Sequence, residues 1–189
     1  MNFDPKSISR DIADSRSRAQ VIISGLSVEQ LTRRPEAGKW SIGECIAHLN
    51  VTAAAVQKIM AGAIEQGKQK RKSGSGPFSI GPKGRLMVWI AEPPPKFRIR
   101  APKNVRPPAT IDDPLQLLPA FLQAQDGWER LMRAQEGLDL EKIVVGQGVF
   151  RMRLAAALPW MMAHQRRHLL QAENVKWQIN SAASASSAR

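Results

Sequence analysis

Four long stretches of the sequence have apolar residues at the three- and four-residue intervals of an α-helix. They run from about 5 to 26, from 41 to about 64, from 113 to about 131 and from roughly 152 to 177. Each stretch would have one apolar face, which a helix must bury against a neighbour. In a chain of 189 residues, four such stretches predict an all-α fold, an antiparallel four-helix bundle.

Capping signals mark several of the predicted helix ends. Ser41-Ile-Gly-Glu44 has the form of a capping box, in which each outer side chain accepts a hydrogen bond from the other residue's backbone N–H. Ser27-Val-Glu-Gln30 has the same form and predicts a short helical turn. Asp113-Pro114 is typical of a helix start, with an acidic cap before a proline. Pro159 predicts either a kink in the last helix or its true beginning.

The net charge of +12 is concentrated in one part of the sequence. Residues 66–106 contain eleven Lys and Arg against a single acid, Glu92, and therefore carry +10. Prolines such as those at 93–95 exclude a continuous helix in this part of the chain. We predict a long basic connection, rich in Pro and Gly, over 66–112 between the second and third helices, with a short helix at about 85–92.

The basic connection has three interpretations. It could be a solvated linker, it could steer anionic substrates, or it could bind the phosphates of a nucleic acid. Its aromatic residues, Phe78, Trp89 and Phe97, do not form the stacking pattern of single-strand binding, and no helix-turn-helix or zinc-finger motif is found. We therefore favour the linker first and substrate steering second, and we do not expect a nucleic-acid partner.

The predicted domain organisation is simple. Residues 1–180 form one helical domain, and 181–189, rich in Ala and Ser, form a disordered tail. The longest uncharged apolar run, 154–163, is shorter than the roughly 20 residues that cross a bilayer. No secretory signal precedes the first helix, so we expect a cytoplasmic protein without membrane contact. The single cysteine, Cys45, allows no intramolecular disulfide, and we expect it to be a small buried residue.

All three histidines fall on two of the predicted helices. His164 and His168 are four residues apart, so both rings lie on one face, where they continue an apolar stripe. A buried polar group without a partner costs about 1–3 kcal/mol, and a divalent cation would satisfy two such imidazoles. His48, from the second helix, would complete a three-histidine site with open positions for water or substrate. Alternatively, each histidine is a hydrogen-bonded core residue or a surface residue.

Two further residues are candidates for contacts around these histidines. Glu44, one turn before His48, could accept a hydrogen bond from its imidazole N–H, although the capping box is the role that we favour. Gln171 could contact a water on the metal or make a polar contact to a neighbouring helix. Neither role identifies a general base, and no catalytic residue is assigned from the sequence.

Two motifs resemble one known family. The phrase Trp40-Ser-Ile-Gly-Glu44, followed by His48-Leu49, resembles the second-helix entry of the DinB-like superfamily (DinB/YfiT-like metalloenzymes). The phrase His164-Gln-Arg-Arg-His168-Leu-Leu-Gln171 resembles its second signature, and the resemblance extends over residues 5–178. Two positions depart from the family pattern: Arg167, where members often have His or another polar residue, and Leu170, where they often have Gly. Both departures leave the histidines intact but weaken any inference about substrate.

The resemblance implies a four-helix bundle that binds one divalent ion (Zn, Ni, Fe, Co or Mn) through His48, His164 and His168. It also implies an enzyme that acts on a small molecule, either a hydrolase or a transferase or isomerase that uses a low-molecular-weight thiol, toward which we lean slightly. It suggests a homodimer as well. The alternatives are a non-catalytic, stress-related metal-binding protein and, less favoured, a nucleic-acid-associated protein that uses residues 66–106.

Overall fold

The computed structural model of the chain describes residues 2–97 and 100–187. Within these ranges the α-helices are α1 (Lys6–Ile23), α2 (Val28–Thr32), α3 (Ile42–Gln69), α4 (Gly81–Ala91), α5 (Leu117–Ala134) and α6 (Leu154–Ser187). The strands are β1 (Asn2–Phe3), β2 (Phe78–Ser79), β3 (Val144–Val145) and β4 (Met152–Arg153), which form two antiparallel pairs, β1 with β2 and β3 with β4. None of the described helices has the length and apolar character needed to cross a membrane.

Four of these helices, α1, α3, α5 and α6, form the bundle, so the predicted all-α four-helix bundle is confirmed. Both α1 and α3 pack against α5 and α6. This arrangement places α1 diagonally across the bundle from α3, and α5 diagonally across from α6. The chain therefore crosses an end of the bundle between α1 and α3, through α2, and again between α5 and α6. The short helix α4 packs outside the bundle on α6.

The predicted caps form as the sequence indicates. In both capping boxes, at Ser27 and at Ser41, the serine side chain and the Gln or Glu three residues later make reciprocal hydrogen bonds. The side chain of Asp113 accepts a hydrogen bond from the N–H of Leu115 and starts a 3₁₀ turn, which leads into α5. Helix α3 continues to Gln69, past its predicted end near residue 64.

The last helix differs from the prediction at both ends. Pro159 lies inside α6, which begins at Leu154, so the proline does not mark the start of the helix. Helix α6 extends to Ser187, into the segment for which disorder is predicted from residue 181. Alanine has the highest helix propensity, and adding residues to an existing helix avoids the cost of nucleation.

The predicted basic connection includes α4, which starts at Gly81 and is longer than the two turns predicted. Its β2 pairs with β1 at the N-terminus, a contact that the sequence does not reveal because two-residue strands have no readable period. A second short helix, a 3₁₀ turn at Lys103–Val105, contacts α3. Residues 97–100 alternate apolar and basic side chains, which predicts a short extended piece, and they lie partly outside the described residues.

The buried core is divided into two clusters. One cluster contains Trp128 and Leu158, and the other contains Phe121 and Leu169. On α6 the residues 164–168 lie between the two clusters and are mostly polar. The fold therefore places a polar layer, which includes the histidines of α6, in the middle of the bundle.

Candidate metal centre

The three histidines come together between α3 and α6. One ring nitrogen from each of His48, His164 and His168 lies within 4.8 Å of the others. The Nε2 atoms of His48 and His164 are 3.2 Å apart. His48 projects from α3, and the other two project from one face of α6, as the four-residue spacing predicts. Their convergence is the one cluster of this kind in the part of the chain that the structure describes.

Two of the imidazoles are oriented by hydrogen bonds at Nδ1. The Nδ1–H of His48 donates to the backbone carbonyl of Val105 at 2.5 Å. The Nδ1–H of His168 donates to Oε1 of Gln171 at 3.0 Å. Because each Nδ1 carries the proton, each Nε2 keeps a free lone pair, as a metal ligand requires. Gln171 therefore orients His168 from within α6, which is neither of the contacts predicted for it.

His164 lacks such a hydrogen bond. Its Nδ1 atom is buried and has no hydrogen-bond partner among the described residues. The other ring nitrogen of His164, Nε2, lies 3.2 Å from Nε2 of His48, within hydrogen-bond distance. The unpartnered buried nitrogen and the close pair of imidazole nitrogens are both features that a shared cation would explain.

Burial keeps the three imidazoles neutral. It lowers the pKa of His48, lowers the pKa of His164 well below its usual range, and lowers the pKa of His168 to about 3. The neighbouring histidines and the guanidinium of Arg167 lower the pKa values of the two α6 histidines further. Neutral imidazole is the form that binds a metal, so these side chains need not lose protons at neutral pH.

Aromatic rings surround the histidines. Trp40 stacks on His168 with ring centroids 5.6 Å apart, and its centroid lies 5.0 Å from that of His48. The Trp160 ring lies 6.5 Å from His164. The capping box at Ser41 starts α3 directly after Trp40 and so fixes where this ring enters the site. Two tryptophan rings therefore lie against the histidine cluster.

Glu44 does not orient His48; it forms the capping box at Ser41, which is the role that the sequence favoured. Its carboxylate accepts hydrogen bonds from the Ser41 backbone N–H at 2.8 Å and from the guanidinium of Arg34, so both oxygens are occupied. Burial raises the pKa of Glu44, but the hydrogen bonds from Arg34 and Ser41 outweigh it and leave the pKa lowered. Glu44 therefore acts at the start of α3, and Val105 supplies the acceptor for His48.

Cys45 is buried, and burial raises the pKa of its thiol. It therefore remains a protonated, apolar side chain at neutral pH, as predicted.

The histidines border a cavity of about 1470 Å³. One wall comes from α3 and α6, and another comes from α4 and the basic connection through residues such as Pro102, Val105 and Arg106. The connection is thus part of the site and not only a solvated linker.

Two contributors to the site could not be identified from the sequence. The Val105 contact is made by a backbone carbonyl, which every residue has and which therefore cannot be recognised in a sequence. For Arg167, the sequence indicates only that it adjoins His168.

Fold and site together define a class: a helical bundle with three neutral histidines gathered beside a large cavity. The chain belongs to the DinB superfamily, whose sequence profile matches residues 11–172. It is similar in structure to YfiT from Bacillus subtilis, described as a probable metal-dependent hydrolase with an unusual four-helix bundle topology. The two share 12% sequence identity with a TM-score of 0.60 over 93% of this chain and 87% of YfiT. No curated protein matches the sequence.

Proposed function

We propose that this chain is a metal-dependent hydrolase of a small molecule, with one divalent cation held by His48, His164 and His168. The observation that carries the proposal is the convergence of three imidazole nitrogens within 4.8 Å of one another. A bound cation of this kind supplies Lewis acidity, which polarises a substrate and lowers the pKa of water. The description of YfiT as a probable metal-dependent hydrolase supports the same chemistry.

The residues fit such an ion. Two imidazoles on a tetrahedral zinc at 2.0–2.1 Å have nitrogens about 3.3 Å apart, and the His48 and His164 nitrogens are 3.2 Å apart. Three protein ligands leave coordination positions for water or substrate, which is typical of catalytic zinc sites. In the described part of the chain no carboxylate or thiol belongs to the cluster, so the ligands would leave the charge of the cation undiminished.

The surrounding residues position and shield the ligands. The carbonyl of Val105 and the amide oxygen of Gln171 hold two rings with their Nε2 lone pairs free. Trp40 covers the His48 and His168 rings and limits the access of water from that side. The cavity alongside provides the space for a substrate.

Metal titration tests the proposal. We expect the purified protein to take up about one equivalent of Zn²⁺ or Co²⁺, as a three-ligand site predicts. Replacing His164 or His168 with Gln should weaken zinc binding by about a hundredfold or more, since even residues behind the ligands contribute about 10–100-fold. Arg130→Gln, a change at an exposed position on α5, is the control and should leave the affinity unchanged.

Metal content by plasma mass spectrometry and competition with a chromophoric chelator provide the readings. Less than about half an equivalent after reconstitution, or an unchanged affinity in His168→Gln, would contradict the proposed metal site.

The size of the cavity favours a second candidate, transfer or isomerisation with a low-molecular-weight thiol. At about 1470 Å³ it exceeds the roughly 300–1,000 Å³ of a usual small-molecule site, which leaves room for two molecules. Adding 2-mercaptoethanol to the Co²⁺-loaded protein should then produce an intense thiolate-to-cobalt absorption band, because a metal deprotonates a coordinating thiol. Ethylene glycol is the matched control without sulfur. If the band is absent at saturating thiol, the thiol does not reach the metal, thiol-dependent transfer and isomerisation are excluded, and hydrolysis remains.

A further inference from the structure

The cavity beside the histidines is strongly cationic. Its described lining contains six basic side chains and two acidic ones. The basic residues are Arg34, Lys39, Lys96, Arg100, Arg106 and Arg167, and the acidic residues are Glu36 and Glu44. Arg34 and Glu44 pair with each other, so one of the two acids is already neutralised. The remaining cations give the cavity a net positive charge, which attracts anions.

Arg167 is the cation next to the histidines in the sequence, and its charge is not compensated by the protein. Its guanidinium donates to the backbone carbonyls of Ile90 at 3.0 Å and Phe97 at 2.5 Å. Both acceptors are neutral, and no carboxylate pairs with Arg167 among the described residues. The two carbonyls fix a half-buried guanidinium at the cavity wall, where it can bind a carboxylate, sulfonate or phosphate group.

Another part of the cavity is apolar. Phe150 and Trp160 stack there with ring centroids 5.6 Å apart and planes at 25°. Met87 and Met161 line the same cavity, and the residue Phe150 is 42% exposed. Exposed stacked rings and flexible thioethers are suited to contact with an apolar ligand body.

Helix α6 sets the order of these features. Trp160, His164 and Arg167 are spaced by four and then three residues, so they follow one face of the helix. The rise between the first and the last is about 10 Å. A ligand that contacts both the apolar wall and the guanidinium must therefore pass the histidine between them.

We propose that this cavity binds an amphipathic organic anion, with its anionic group on Arg167 and its apolar body against Trp160 and Phe150. The middle of such a ligand lies beside His164. The inference rests on the proposed function, since it names the substrate class of the same site. Binding of the anion to the cavity can nevertheless be measured both in the metal-free and in the metal-loaded protein.

Octanoate is a suitable probe because it is about 10 Å long, the distance given by the helix rise. The control ligand is 1-octanol, which has the same chain without the charge. We expect octanoate to bind at least about tenfold more tightly than 1-octanol. Arg167→Gln should lower the affinity for octanoate by about tenfold, as loss of a charge-assisted hydrogen bond predicts. Arg167→Gln should not change the affinity for 1-octanol, and Phe150→Ala should lower the affinity for both ligands. Arg130→Gln, which removes the same charge outside the cavity, should change neither.

Isothermal titration of the metal-free and the zinc-loaded protein separates this inference from the proposed function. Arg167-dependent octanoate binding without zinc uptake would overturn the metal site alone. Zinc uptake with equal binding of octanoate and 1-octanol, or with an unchanged dissociation constant in Arg167→Gln, would overturn the anion site alone. If Arg167→Gln does not fold, the wild-type protein still tests whether the cavity binds the anionic group through charge, since added salt should then weaken octanoate binding and not weaken 1-octanol binding; a salt-independent octanoate affinity would overturn the anion site.

Discussion

Gln171 shows how much of this site depends on residues that would not touch a metal. Its amide oxygen holds the Nδ1–H of His168 at 3.0 Å, three residues earlier on the same helix. Without that acceptor the imidazole can rotate or exchange its proton between the two nitrogens. Either change takes the Nε2 lone pair away from the cluster.

We therefore expect Gln171→Leu to weaken zinc binding by about 10–100-fold, the usual effect of losing a partner of a ligating histidine. Gln171→Glu retains an acceptor and should retain most of the affinity. Gln178→Leu makes the same substitution two turns further along α6, at an exposed position, and serves as the control. A chelator competition in which Gln171→Leu and Gln178→Leu bind zinc equally would show that the hydrogen bond does not matter.

The sequence was sufficient to identify the histidines but not everything that arranges them. His164 and His168 could be predicted because their spacing and their apolar neighbours are local properties of one helix. The acceptor at Val105 depends on how residues 102–108 fold back onto α3, and a backbone carbonyl is present at every position. The role of Glu44 was ambiguous for a similar reason, since its choice between His48 and Arg34 is a tertiary one.

The position of α4 on α6 depends on a single glycine. A Cβ atom added at Gly84 would lie 2.6 Å from the Cβ of Ala156, closer than two carbon atoms can approach. The absence of a side chain at Gly84 thus lets α4 lie close to α6 and form one wall of the cavity.

We expect Gly84→Ala to destabilise the fold by about 1–3 kcal/mol, since the added carbon forces α4 away from α6. Gly62→Ala on α3 is the matched control, because no atom lies within 4 Å of its added Cβ. That control should stabilise the fold by up to about 1 kcal/mol through helix propensity alone. Urea unfolding of both variants compares the two free energies, and an equal change in both would refute close packing at Gly84.

The elements that could be predicted are those that repeat a pattern over several turns. All four bundle helices were evident from their apolar stripes, and their starts agreed with the caps at Ser41 and Asp113. Strands β1, β2 and β4 and the 3₁₀ turn at Lys103–Val105 were missed because two or three residues cannot show a period. The end of α6 was missed because composition does not report whether a helix already precedes the segment.

At the scale of the whole molecule, periodicity could not show which helices are neighbours. Each stripe indicates that a face is buried but not what buries it, so the diagonal placement of α1 against α3 comes only from the structure. The two histidine motifs indicated the family, and the family match over residues 11–172 confirms that resemblance. A homodimer remains a prediction.

The net charge of +12 also has a different significance in the folded molecule. The basic connection brings Lys96, Arg100 and Arg106 to the cavity, where they join Arg167 of α6. A segment that resembled a solvated linker in the sequence thus contributes much of the positive charge beside the histidines.

The hydrogen bond that His48 donates to the carbonyl of Val105 joins the basic connection to the proposed ligand set. Because coupling between two sites is reciprocal, any factor by which a ligand on residues 102–106 raises the affinity for metal equals the factor by which metal raises the affinity for that ligand. With such a coupling the connection would act as a thermodynamic sensor, which reports the occupancy of one site as a change in the affinity of the other.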